Sequence, residues 1–114
     1  MEQAAAVSQK GAGLTEFTDP KAAVREVDAV YTDVWTSMGQ EVEYADRKKM
    51  FQRYQANENL MALAKPGALF MHCLPAHRGD EVTDDVIESP SSVVFDQAEN
   101  RLHAQKALLV QMLA

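Results

Sequence analysis

Three short strand-like runs, the β-branched and aromatic AVYTDVW (29–35), the apolar ALFMHC (68–73) and SSVVFDQ (91–97), alternate with stretches of helical patterning. That alternation constrains the chain more than any other feature. Strands joined through helices pair in parallel, by right-handed crossovers, and the helices cover the sheet. The fold class that follows is α/β, a parallel sheet with flanking helices of Rossmann-like kind. The chain has 114 residues, enough for one modest domain.

The remaining segments fall into place around those runs. MEQAAAVSQK (1–10) reads as a short helix ended by Gly11 and Gly13, and LTEF (14–17) as a short strand. In TDPKAAVREV, Asp19 is placed to cap a helix and Pro20 to occupy its first turn. TSMGQEVEY (36–44) breaks periodicity and reads as loop. ADRKKMFQRYQ (45–55) reads as helix with Met50, Phe51 and Tyr54 on one side, and NENLMALA (57–64) as another. Thr83 is placed to cap a helix that Pro90 ends, and 98–113 is the longest helix, striped by Leu102, Leu109, Met112 and Leu113. The predicted order is β-α-β-α-α-β-α-β-α. About four strands are few for a complete doubly wound sheet, where five or six are usual.

Composition excludes several function classes. The net charge is −6, against the basic face that nucleic acid or an anionic membrane requires. No run of eighteen apolar residues offers a membrane span, and the N-terminus has neither the basic start nor the apolar core of a secretory signal. One cysteine forms no internal disulfide, which fits a reducing, cytoplasmic setting.

In parallel α/β sheets ligands gather at the carboxyl ends of the strands. Three loops leave predicted strand ends: DVWTSMG (33–39), HCLPAHRG (72–79) and DQAENR (96–101). They carry Asp33, Cys73 and Arg101. Each also has a plainer reading: Asp33 as a turn cap, Cys73 as a small buried hydrophobe, Arg101 as a solvated residue in a first helical turn. His72, Cys73 and His77 invite a metal, but adjacent ligands serve one ion awkwardly and no fourth ligand is evident, so no metal site is expected. A cysteine protease needs a cysteine–histidine pair in a peptide groove, and nothing marks one. Most methionines read as core filler; Met38, between Ser37 and Gly39 in a polar loop, does not.

DVWTSMGQE and FMHCLPAHRGDEVTDDVIESPSSVVFDQAENRLHAQKALL, at this separation, resemble the C-terminal part of an ornithine carbamoyltransferase. The resemblance runs from about residue 14 to the end, and the SMG loop together with the HCLP motif makes it specific. It implies transfer of a carbamoyl group from carbamoyl phosphate to the side-chain amine of ornithine, giving citrulline and phosphate in arginine metabolism. It also implies two α/β domains, trimers as the usual assembly, and no metal or organic cofactor. Residues 1–114 then form the ornithine-binding domain, incomplete at its N-terminal side.

Position by position, the resemblance makes Asp33 the partner of the ornithine α-amino group and puts Ser37 and Met38 on a loop that closes over ornithine. Cys73 becomes the active-site cysteine near the reacting amine. Leu74 offers a backbone carbonyl to the carbamoyl amino group, with a cis Leu74–Pro75 bond. Arg101 contacts the carbamoyl oxygen, and His72 has a supporting role. The chemistry is coherent. Asp33 holds an ammonium by a charge-assisted bond, a nearby base or thiolate takes the amine proton, and Arg101 stabilises the oxyanion.

The departure from the family pattern is also specific. The Ser-Thr-Arg-Thr phosphate motif does not occur in this chain. The chain is therefore expected to be a fragment, inactive alone, with apolar surface exposed along its last helix. Two other readings stay open: a carbamoyltransferase for putrescine or N-acylornithine, and a non-catalytic truncated interaction module.

Overall fold

The structure, a computed structural model, describes residues 13–36 and 44–113. The helix expected over 1–10 lies outside the described residues, as do Ser37 and Met38. The described elements run α1 (Pro20–Ala23), β1 (Ala29–Thr32), α2 (Tyr44–Phe51), a 3-10 turn (Gln52–Tyr54), α3 (Glu58–Met61), β2 (Leu69–His72), α4 (Asp84–Ile87) and α5 (Val94–Leu113).

Capping explains where the short helices begin. Asp19 accepts the Lys21 amide at 3.0 Å and Pro20 occupies the first turn, as expected. Asn57 Oδ1 accepts the Leu60 amide at 3.0 Å and starts α3. Thr83 takes the extended cap conformation before α4 but makes no side-chain cap bond; its backbone carbonyl accepts the Ile87 amide instead, at 3.1 Å. After α3 the KPG turn sends the chain into β2, with Gly67 at φ 83°, where a side chain would be strained.

β1 and β2 pair in parallel, Val30 opposite Phe70 and Thr32 opposite His72. On its other side β2 meets one residue, Ser92: the Phe70 amide donates to Ser91 O at 2.9 Å, and Phe70 O accepts the Val93 amide at 3.0 Å. β2 is thus hydrogen-bonded along both edges. That position accounts for the complete burial of Phe70 and His72.

Two predicted strands are corrected. LTEF (14–17) is irregular and exposed. Without a neighbouring strand to pair with, four residues of modest β propensity stay irregular. SSVVFDQ (91–97) makes a single bridge and then turns into helix at Val94, with Gln97 N donating to Val93 O at 2.8 Å. The run is β-branched, but Val94 is fully buried only when the chain turns here, so packing overrides propensity. Among the described residues, two strands and the Ser92 bridge on β2 stand in place of about four strands.

The core is small. Ala56, Phe70, Val82, Val86, Ile87 and Val94 form it, with Met61, Leu74 and Ala76 packed against its edge. At the side of α2, Phe51 stacks near Trp35 at a ring separation of 6.2 Å and meets Tyr54 at 6.1 Å, while Met50 projects outward. Asp80, nearly buried, holds Lys48 Nζ at 2.5 Å and the Tyr44 hydroxyl. Burial pushes the Asp80 carboxyl up, but these two partners outweigh it and hold the group below the usual range.

α5 buries only Val94 of its twenty residues. Leu102, Leu109, Met112 and Leu113 lie on it as expected, all more than half exposed. The chain by itself is therefore expected to bind a hydrophobic-surface dye and to scatter light as an associating species. A dye-silent monomer across a concentration series would contradict that. No helix among the described residues is long and apolar enough to cross a membrane.

Candidate active site at the strand ends

Asp33 follows β1 directly and Cys73 follows β2 directly, so parallel pairing brings both to one edge of the sheet. Cys73 Sγ donates to Asp33 Oδ1 at 2.9 Å, and the Val34 amide donates to the same oxygen at 2.7 Å. α5 reaches that edge from Ser92. Because the helix begins at Val94 and not at residue 98, Arg101 lies two turns in. From there its Nη1 donates to Cys73 O at 3.3 Å. Two residues at the ends of β1 and β2 and one from two turns inside α5 thus meet at one point, so the loop expected over 96–101 is helix. Leu74 sits beside them with φ 54°, and the Leu74–Pro75 bond is cis.

The electrostatics depart from one expectation. The bond to Asp33 is the main reason the Cys73 thiol is pushed up, and burial adds to it. The same thiol bond, with the Val34 amide, holds the Asp33 carboxyl below its usual range. Cys73 is therefore a protonated donor at neutral pH and not the thiolate base considered above. The sign is testable. Asp33→Asn removes the anion that opposes thiolate formation, so iodoacetamide is expected to label Cys73 faster at pH 8 than in the unaltered chain. Equal or slower labelling would show that Asp33 does not govern the thiol.

Several residues at this edge were not singled out from the sequence. Gln97 Oε1 accepts the His72 amide at 3.1 Å and so ties α5 to the end of β2. Tyr31, on β1, places its hydroxyl against Cys73 and Gln97; the thiol contact, then burial, push the phenol up. Both were legible in principle. Tyr31 is two residues before Asp33 on one strand face, and Gln97 is four before Arg101 on one helix face. His72 and Glu81 are fully buried and paired, Nε2 to Oε1, at 3.2 Å.

The residues considered for a metal do not converge. Both ring nitrogens of His72 are engaged, Nδ1 by the Leu74 amide at 2.8 Å and Nε2 by Glu81. The Cys73 thiol faces Asp33. A different set, His77, Asp80 and Glu81, brings its ligand atoms within 4.8 Å of one another. The Asp80 carboxylate there is already held by Lys48 and Tyr44, and the nearby ammonium opposes a second cation.

Comparison with known proteins agrees with this geometry. The family described as aspartate/ornithine carbamoyltransferase, Asp/Orn binding domain, matches residues 1–112. An ornithine carbamoyltransferase of Hyperthermus butylicus is 61% identical over 109 residues, covering 96% of this chain and 35% of the relative. The solved ornithine carbamoyltransferase of Pyrococcus furiosus superposes with a TM-score of 0.75 at 66% identity, over 80% of this chain and 29% of that one. An acetylornithine transcarbamylase complexed with acetylcitrulline superposes at 0.66 with 37% identity, over 80% and 28%. The chain thus spans about a third of the length of the curated relatives it matches.

Proposed function

Since the chain belongs to the aspartate/ornithine carbamoyltransferase family, through its Asp/Orn binding domain, we propose that it is the ornithine-binding part of an ornithine carbamoyltransferase. In this reading residues 1–114 are an incomplete second domain of a two-domain, trimeric, cytoplasmic enzyme. Carbamoyl phosphate is the donor, ornithine the acceptor, and citrulline and phosphate the products. The observation that carries the reading is the convergence of Asp33, Cys73 and Arg101 at one strand edge.

The geometry supports a role for each group. Asp33, ionised and partly exposed, is suited to receive the ammonium of the ornithine α-amino group. Leu74 offers its carbonyl to the carbamoyl amino group. The uncharged side-chain amine attacks the carbamoyl carbon, a C–N bond forms, and the C–O bond to phosphate breaks. The amine proton passes to the departing phosphate in the same sequence. Cys73, a thiol beside the carboxylate, provides a polar contact for that amine without adding a second negative charge. Arg101 faces the oxygen on which charge develops. Ser37 and Met38 are assigned to the loop over ornithine on the strength of the SMG motif alone.

Free ornithine is favoured over the alternative amines by Asp33. Putrescine has no α-amino group, and in N-acylornithine that nitrogen is an uncharged amide, so neither gives the carboxylate a cation. The non-catalytic alternative makes a different prediction. The test is citrulline formation from ornithine and carbamoyl phosphate, by the chain alone and by the chain supplied with the segment of the Pyrococcus furiosus relative that it does not span. Turnover only in the mixture supports the proposal. A stable complex of the two segments that yields no citrulline overturns it in favour of an interaction module.

A further inference from the structure

Two polar side chains behind the site, His72 and Glu81, are completely buried, and neither takes a direct part in the reaction above. Burying an acid is unfavourable unless it is well bonded. The geometry points to Glu81 as a positioning residue: it fixes the tautomer of His72, and His72 in turn holds the backbone of Leu74 at the reacting edge. The consequence for Leu74 rests on the functional reading above; the tautomer does not.

The chain of contacts runs outward from Glu81. Its Oε1 faces His72 Nε2 at 3.2 Å and accepts the His77 amide at 2.6 Å, so one carboxylate oxygen ties both ends of the 72–77 loop. Its own backbone carbonyl accepts the Ala56 amide at 2.8 Å, and Thr83 N donates to Ala56 O at 3.0 Å. The acid is therefore anchored to a segment outside the loop. At the other end of the imidazole, Nδ1 accepts the Leu74 amide at 2.8 Å.

An amide N–H needs an acceptor, so Nδ1 carries no proton and the neutral ring holds its proton on Nε2. That proton points at Glu81. The opposite tautomer would set N–H against N–H at Leu74 and a lone pair against a carboxylate at Glu81. Leu74 has φ 54°, a left-handed conformation that is costly for a non-glycine residue. The bond to His72 offsets part of that cost and holds the peptide where its carbonyl serves the site. Neither His72 nor Glu81 touches substrate in this scheme; both act through Leu74.

The test is a ¹⁵N spectrum of the imidazole of His72 in the 114-residue chain, with amide exchange at Leu74 read in parallel. The unaltered chain is expected to show the Nε2–H tautomer and a protected Leu74 amide. Glu81→Ala is expected to give mixed tautomers, with Leu74 exchanging about tenfold faster, the scale of one lost hydrogen bond. Glu81→Gln, whose carbonyl oxygen still accepts from both partners, is expected to restore the Nε2–H form. An Nδ1–H tautomer in the unaltered chain overturns the inference, and so does unchanged Leu74 exchange in a folded Glu81→Ala. Should Glu81→Ala not fold, the unaltered chain and Glu81→Gln still decide. No substrate enters this measurement, so it stands or falls separately from citrulline formation.

Discussion

Phe70→Ala is expected to remove most or all of the folded population of this chain. Phe70 is the largest apolar side chain at 0% exposure, and it sits at the middle of a core of six residues. It pairs opposite Val30 on one edge and bridges Ser92 on the other, so few neighbours are free to close in. Truncating such a side chain costs about 3–5 kcal/mol, because lost transfer energy and the residual cavity add. Single domains have only about 5–15 kcal/mol in total, and a core this small places the chain toward the lower end. Urea unfolding followed by circular dichroism should show a transition displaced far toward zero denaturant, or none. Leu109→Ala, on the exposed face of α5, should stay within about 0.5 kcal/mol of the unaltered chain. A Phe70→Ala transition within 1 kcal/mol of the unaltered chain, roughly a third of the minimum expected loss, would mean that the core is organised around other residues.

The second large effect concerns turnover. In the complemented enzyme, Arg101→Ala is expected to lower kcat about 10²–10³-fold with little change in stability, the scale found when one preorganised donor to an oxyanion is removed. Arg101 is exposed, and its present bond to Cys73 O is long at 3.3 Å, so the guanidinium can leave that carbonyl for a substrate oxygen. Arg101→Lys should recover little, since an ammonium does not reproduce the planar fork. His103→Ala, on the same helix but bonded to Glu99 at 3.4 Å, should leave turnover unchanged. A kcat for Arg101→Ala close to that of the unaltered enzyme would remove Arg101 from the reaction, and the functional assignment of α5 with it.

Local chemistry was legible wherever a residue acts on its own neighbours. Asp19 before Pro20 starts a helix because cap and helix lie within three residues; Thr83, read in the same way, takes the cap conformation without the side-chain bond. ALFMHC reads as strand and is one, because an apolar run between a Gly turn and a Leu-Pro turn has no competing periodicity. The meeting of Asp33 and Cys73 was also readable, since parallel pairing sends the ends of β1 and β2 to one edge; Arg101 arrives there from inside α5, with no third strand to carry it. SSVVFDQ failed because its propensity is β while its burial is satisfied by a helix.

The class of fold, the start of the helix at Pro20, the edge at which β1 and β2 end and the family motifs there are written in local sequence. These depend on spacings of a few residues and on the chirality of crossovers, which the chain carries wherever it goes. Packing across the fold sets the Cys73 thiol against a carboxylate, which keeps it protonated, and puts Glu81 under His72 nine residues away. It also decided that Gln97 bridges α5 to β2. Hydrogen-bond partners and local dielectric are properties of packed neighbours, and those neighbours are set by how β2, the 72–81 loop and α5 close on one another.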